Sequence, residues 1–460
     1  MNIVKSYAFP HPPLAIPEVG KSQEKEIPKT IAAFYETAEE ISKVSPETIV
    51  IITPHNINYS DYFHISPGKS AVGDFSGFGV PKVKFEVQYD EEFSNQLIKV
   101  ANNIDLPVGY LGKKYNRLDH GVMVPLYFIN KKFRNYKIVR ISQSGLDTAS
   151  HYSLGMCIKE TAELLNRKVV VIASGDLSHK LPNSPYGTVK EGIEFDSSIV
   201  SILKKGDFDE LFTFDNDLRE KAAECGFNSF VVLAGCFDGY ETETDFYSYE
   251  NTFGVGYAIL SFTPVNKDVH RYFLEKYLKD EEEMIKSLHN TTDEYCSLAI
   301  KSLESIVKYG KIITLPNNLS DDLLLKKAGV FVTLHKGNSL RGCIGTIYPT
   351  TDSIAMEIIQ NAISAGLNDP RFESVNKDEL KYIRYSVDVL SEPEIITDIS
   401  QLDVKRYGVI LSYKNKRGLL LPDLDGINDV ETQLSIAKQK AGISDEVAVT
   451  IERFEVTRHV

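Results

Sequence analysis

Four histidines carry the first chemical signal in this chain of 460 residues. His11, His55 and His179 each follow a β-branched or apolar run that stops abruptly: Ile3 to Phe9, Thr48 to Thr53 and Val169 to Ser174. Imidazole binds metal ions and moves protons near neutral pH. His120 lies in Leu118-Asp119-His120-Gly121, just before an apolar segment, and Asp176 precedes His179 by three positions. Glu224, flanked by Ala223 and Cys225, opens another apolar segment, where a carboxylate is misplaced unless it has a partner. Two His and one carboxylate on one side of a metal leave the other side open, the arrangement used by non-haem Fe(II) oxygenases. Taken singly, each of these residues has a plainer role. A lone His near a strand end is usually a satisfied polar group, and His64, His151 and His270 are read that way. Glu224 alone would favour a helix start, and Asp176 alone would cap a turn.

The four His matter together because of the elements that carry them. Residues 3–9, 47–53, 136–141 and 169–174 read as strands, and the continuous apolar runs suit strands buried on both faces. Helical spacing covers residues 27–44, 90–102, 150–165 and 195–204, with a buried helix over 122–129. Strands alternating with helices imply an α/β domain with a mostly parallel or mixed sheet covered by helices. Parallel neighbours put their carboxyl ends on one edge, so His11, His55 and His179 meet there despite their separation in sequence. Residues 56–81, rich in Gly, Ser and aromatics, read as loop with short strands. Residues 246–249 and 256–262 read as closing strands.

Thr263-Pro264-Val265-Asn266 marks the domain boundary, dividing the chain into residues 1–264 and 265–460. Beyond it come a charged helical stretch over 267–286, a helix over 293–309, and an α+β mixture. A hairpin is expected around Lys336-Gly337-Asn338, with helices over 351–365 and 430–441 and strands at 383–390 and 418–421. Within the hairpin, Leu340-Arg341-Gly342-Cys343-Ile344-Gly345-Thr346 places an Arg two residues from a Cys. A nearby guanidinium would lower the thiol pKa, and His335 would lie across the hairpin. The plainer reading makes Cys343 a small buried strand residue. Asp369 and Arg371 read as either site groups or a structural ion pair.

Hydrophobic residues make up 42% and charged residues 25% of the chain, which suits a globular protein with sizeable cores. The formal net charge of -13 argues against nucleic acid as a partner. Five Cys without a CxxC pair argue against a disulfide framework or structural zinc site and suit a reducing, cytoplasmic setting. No window is apolar enough for a membrane span, and no signal-peptide pattern opens the chain.

Pro10-His11-Pro12-Pro13-Leu14, Thr53-Pro54-His55, Leu118-Asp119-His120-Gly121 and Ser174-Gly175-Asp176-Leu177-Ser178-His179 resemble, in this order, the class III extradiol dioxygenases of the LigB type and the related Memo proteins. The resemblance covers roughly residues 1–262. It implies that His11 and His55 hold a metal, Fe(II) first with Zn, Mn or Cu as other candidates. It implies Glu224 as the third ligand, His179 as acid–base residue and His120 as a supporting donor, with a small aromatic substrate. Asp176 would orient His179. Memo proteins carry a Cys-Gly pair in a comparable position, so Cys225 is the alternative ligand. A hard oxygen ligand suits Fe(II) and dioxygen better than a thiolate does, which favours Glu224. Residues 270–460 resemble the AMMECR domain through the Arg341–Thr346 segment, Asn368-Asp369-Pro370-Arg371-Phe372 and Arg417-Gly418-Leu419-Leu420-Leu421-Pro422. Arg341, Cys343, Asp369 and Arg371 are the candidates for a site there. The fused order is similar to that of the protein A family of AmmeMemoRadiSam systems, which implies a separately encoded radical-SAM partner. No CxxxCxxC cluster motif occurs in this chain. A homo-oligomer is compatible with the sequence.

Overall fold

The computed structural model describes all residues except 113–115, 317, 338, 425, 445 and 446. Two compact units divide the chain, Met1–Leu278 and Lys279–Val460. The boundary expected at 264/265 falls inside a strand, Tyr257–Lys267, in which Thr263 pairs with Glu243 and Pro264 with Thr242. Pro264 is tolerated because it lies beyond Leu260–Phe262, the part of this strand that pairs with Ile3–Phe9.

The first unit is built on one six-stranded sheet. Its order is Lys137–Ser142, Thr48–Thr53, Val169–Ser174, Ile3–Phe9, Tyr257–Lys267 and Tyr240–Glu250. The first four strands are mutually parallel and the last two are antiparallel additions. The sheet is therefore mixed, and it is covered on both faces. Period two in the apolar runs explains the cover. Val50, Ile52, Val169, Val171 and Ala173 pack into one core with the helices Glu91–Asn102, Thr148–Leu164, Lys190–Lys205 and Phe227–Gly235. Ile49, Ile51, Val170 and Ile172 point the other way, into a second core with Pro28–Val44 and His120–Ile129. Fully buried strands such as Val169–Ser174 have no polar side, which is why they read as unbroken apolar runs.

Several elements differ from expectation. Lys190–Lys205 starts earlier than residue 195 because its first turn is polar. In the stretch read as loop with short strands, Ser70–Phe75 pairs with Val80–Gln88, which runs on past residue 81. Tyr240–Glu250 is longer than residues 246–249 and mostly part-exposed, as an edge strand facing solvent should be.

The second unit is α+β. One antiparallel sheet has the order Ser339–Gly345, Val330–Lys336, Ile383–Leu390 and Val456–His459. Glu294–Tyr309 and Ile354–Leu367 pack on one face of it. A second antiparallel sheet, with order Glu394–Ile396, Thr450–Phe454, Gly408–Tyr413 and Lys416–Leu420, packs on Val430–Ala441. The expected hairpin is present, with Lys336 opposite Ser339; its Asn338 lies outside the described residues. Among the described residues no helix is long and apolar enough to cross a membrane.

Candidate metal centre

The strands Thr48–Thr53, Val169–Ser174 and Ile3–Phe9 are neighbours in the sheet and parallel. Their carboxyl ends therefore deliver His55, Asp176 with His179, and His11 to one place. His120 enters at the start of the helix His120–Ile129, whose first turn is capped by Asp119 accepting from the Val122 N–H at 3.2 Å.

His11 is buried and its orientation is fixed. The Ser174 hydroxyl donates to the Gly121 carbonyl at 2.6 Å, so its oxygen accepts from the His11 Nδ1–H at 2.9 Å. That puts the proton on Nδ1 and leaves the Nε2 lone pair free, the tautomer a metal ligand needs. His11 Nε2 lies 2.9 Å from His55 Nε2 and 3.5 Å from Cys225 Sγ. One donor atom from each of these three residues falls within 4.8 Å of the others. Donor atoms at such separations suit a single ion with bonds of roughly 2.0–2.3 Å. The donor set and its spacing thus fit a transition metal. Burial, with the neighbouring imidazoles adding to it, brings His11 down to about 3 and His55 down to about 4, although nearby Asp176 acts in the opposite sense. Both rings are neutral near pH 7, as ligands must be. Burial and the Asp176 charge push the Cys225 thiol well up. A cation arriving there would displace the thiol proton.

Of the two candidates for a third ligand, the structure brings Cys225 and not Glu224 to the two His. Both carboxylate oxygens of Glu224 are engaged elsewhere: one accepts from Arg219 Nε at 3.0 Å, the other from the Phe227 N–H at 2.7 Å. Glu224 is the anion at the start of the helix Phe227–Gly235, the plainer role the sequence allowed. Cys225 Sγ, and not the Glu224 carboxylate, lies beside His11 and His55 because two backbones touch. A Cβ added at Gly175 would lie 2.1 Å from the Gly226 Cα. Only glycines permit that approach, and it sets Cys225 against Asp176. The Asp176 N–H donates to Sγ at 3.2 Å, and the Cys225 N–H donates to the Asp176 carbonyl at 3.3 Å.

Asp176 binds the other parts together. Its Oδ1 accepts from the His11 N–H at 2.8 Å, and its Oδ2 lies 3.9 Å from both His11 Nε2 and His179 Nε2. Burial opposes its charge, but the His11 and His179 partners outweigh that and hold the carboxyl down at about 2. For His179, burial favours the neutral ring, while the Asp176 carboxylate 3.9 Å away wins and raises its pKa. The His179 side chain is 25% exposed and His55 is exposed, against 2% for His11, so the site opens on the side of His55 and His179. His179 Nε2 is 4.0 Å from Cys225 Sγ. The His120 ring stacks on His55 with centroids 4.1 Å apart and stands edge-on to His11 at 5.2 Å. Burial lowers its pKa too.

Sequence reasoning missed the supports. Ser174 sets the His11 tautomer. Thr53 Oγ1 donates to Asp119 at 2.6 Å and accepts from the His55 N–H at 3.3 Å. Arg140, fully buried, donates to the Ser66 hydroxyl at 2.6 Å and stands 3.6 Å from Asp119. A charged residue inside the apolar strand Lys137–Ser142 was the available signal. His64 and His151 are structural, as expected, each donating its Nδ1–H to a backbone carbonyl, that of Leu111 and that of Asp147.

The family model described as the catalytic LigB subunit of aromatic ring-opening dioxygenase matches residues 5–260. The chain belongs to the LigB family. A second family model, AMMECR1, matches residues 296–459, so the LigB protein carries an AMMECR1 domain in its C-terminal part. Protein CA_C1420 of Clostridium acetobutylicum is 43% identical over 100% of this chain and 99% of its own length. A Thermotoga maritima protein is 51% identical over 36% of this chain and 96% of its own length. A solved structure, protein PH0010 of Pyrococcus horikoshii, is 32% identical over 36% of this chain and 88% of its own, with a TM-score of 0.33.

In the AMMECR1 domain the four candidates do not form one constellation. The Arg341 fork is held by the Glu379 carboxylate, with both bonds at 3.0 Å. It is tied to that acid rather than to the Cys343 thiol. Asp369 accepts from Arg371 at 2.9 and 2.7 Å and from the Cys343 N–H at 2.9 Å, so this pair ties a loop to the strand. Gly342 is required because a Cβ there would lie 2.1 Å from the Ala365 carbonyl. Cys343 and Arg341 therefore face away from the helix Ile354–Leu367. The thiol accepts a hydrogen bond from Thr333 Oγ1 at 3.2 Å.

Proposed function

We propose that the LigB unit is a metal-dependent oxidoreductase acting on a small aromatic diol, with Fe(II) held by His11, His55 and Cys225. One observation carries this reading: the three ligand atoms converge within 4.8 Å beside the Asp176–His179 pair. Bound Fe(II) would supply Lewis acidity to the diol oxygens and electrons for dioxygen chemistry. The chain's own part is proton handling and placement. His179 Nε2, on the open side, takes the proton from a diol hydroxyl, and the Asp176 carboxylate stabilises the charged ring that results. Ser174 keeps the His11 ring from turning, and the Asp119–Thr53 pair anchors the backbone of His55. His120, neutral and stacked on His55, offers an N–H toward charge that develops on the substrate.

A second reading is favoured by Cys225. A thiolate suits a softer ion such as Cu(I), and the unit would then bind metal without ring opening, as an adaptor for a separately encoded radical-SAM partner in an AmmeMemoRadiSam-type system. Anaerobic loading with Fe(II), Cu(I) or Zn(II), followed by oxygen uptake on a catechol panel, separates the two. Fe(II)-dependent uptake with a yellow product supports the first. Stoichiometric Cu(I) retention without uptake on any diol supports the second and overturns the first.

A further inference from the structure

The sheet of the AMMECR1 domain leaves one face uncovered by its two helices, and that face lines a cavity of about 830 Å³ that also reaches Cys296 and Ile300 of the helix Glu294–Tyr309. Such a volume belongs to small-molecule sites. Strand register explains what points into it. Cys343, Thr333 and Ser386 are directly opposite one another across three strands, and His335 with Arg384 forms the adjacent row two residues on. Period two puts both rows on the same face. Leu421 and Leu424 add apolar wall, and Arg458 adds a second cation beside the floor.

Asp388, Asp423 and the terminal carboxylate of Val460 line the cavity beside Arg384 and Arg458, and the pairing of these charges leaves one cation over. Arg458 is matched by Asp388, with bonds of 2.8 and 3.0 Å, and Asp423 is matched by Lys405 at 2.9 Å. Arg384 donates to the Gly337 carbonyl, and among the described residues no carboxylate pairs with it. Burial together with the charges of Arg384 and Arg458 keeps the His335 ring below its ordinary range, so both cations reach the same part of the cavity. A guanidinium with a neutral partner, in a cavity walled by leucines, suits a carboxylate or phosphate on an apolar body.

We propose that this cavity is a binding site for a small organic anion, with Arg384 as the anion-binding group and the Cys343 thiol at the floor. The Arg341–Glu379 and Asp369–Arg371 pairs then act as the frame that holds the floor strand in place. The site stands apart from the metal centre and does not rest on the proposed diol chemistry.

Alkylation of Cys343 in the full-length protein tests this. Iodoacetate carries a carboxylate and iodoacetamide does not, and the ratio of their rates cancels the thiolate fraction. Peptide mass spectrometry isolates Cys343 from the other four Cys. The wild-type ratio should exceed that of an unstructured Cys peptide and fall about threefold in R384Q, the effect of one unit charge several ångströms away in a water-like medium. R384K should keep the wild-type ratio. Benzoate should slow alkylation saturably in wild type, compared with chloride at equal ionic strength, and should do so less in R384Q. A wild-type ratio equal to that of the free peptide, or one unchanged in R384Q, would overturn the proposal. So would an absence of benzoate protection.

Discussion

Replacing Gly175 by Ala tests how the third ligand reaches the centre. The added Cβ would sit 2.1 Å from the Gly226 Cα and 2.9 Å from the Gly226 N, where ordinary contact begins at 3.4 Å. Both atoms are backbone, so no side chain can swing away. The loop carrying Cys225 must retreat by roughly 1 Å, and overpacking of this kind costs about 1–3 kcal/mol. That retreat loosens the Asp176 N–H bond to Sγ and carries Sγ away from His11 Nε2. Displacing a group that aims a ligand weakens metal affinity by about 10- to 100-fold. Co(II) titration reads this directly, because a thiolate ligand gives a charge-transfer band that His and carboxylate ligands do not. G175A should show a weaker band, a raised Kd and a lower melting temperature, by about 2–4 °C per kcal/mol. Gly77→Ala is the control, since a Cβ there meets nothing within 4 Å. A G175A protein with wild-type melting and an unchanged Co(II) band would refute the claim that this contact positions Cys225.

Other predictions follow from the same contacts. In metal-free protein, Asp176→Asn should lower the His179 pKa, followed by NMR titration of its ring protons, since Asp176 is what raises it. An unchanged value would mean that Asp176 does not support the charged ring. Metal-free protein should also lose stability as pH falls from about 6.5 toward 4. The unfolded chain takes up protons on His11 and His55 over that range, whereas the folded rings resist protonation down to about 3 and 4. Further acidification toward 2 removes the contribution of Asp176. Urea midpoints across pH read this, and a flat profile between pH 6.5 and 4 would contradict the lowered pKa values of the two rings. In the AMMECR1 domain, Glu379→Ala leaves the largely buried Arg341 without its acid and should cost about 3 kcal/mol. The R341A/E379A double variant should be less destabilised than E379A alone, and a larger loss in the double would deny the pairing.

Much of the fold could be read from the chain because the central strands are buried on both faces. Val169–Ser174 and Thr48–Thr53 are entirely apolar or β-branched apart from their ends, and such runs have few alternatives. Tyr240–Glu250 was largely missed because its Glu and Thr side chains face solvent and mimic a loop. The gathering of His11, His55 and His179 followed from parallel strands alone. The choice between Glu224 and Cys225 did not, since it turns on one residue of register. Ala223 takes a left-handed φ of 52° and Gly226 packs on Gly175, and together they point the thiol inward and leave the carboxylate to Arg219. Nothing in the periodicity of Ala222 to Phe227 encodes a contact with a loop some fifty residues away. Likewise Arg341 and Cys343 share a strand face by period two, but the acid that claims Arg341 comes from another segment.

The ligand set is tested most directly by metal content in two neighbouring variants. C225A and E224Q, purified anaerobically and reconstituted with Fe(II) or Cu(I), should separate cleanly. E224Q should retain wild-type metal stoichiometry with a modest loss of stability, and C225A should lose the metal while remaining folded. Full metal in C225A with loss in E224Q would contradict the assignment of His11, His55 and Cys225 as the metal centre.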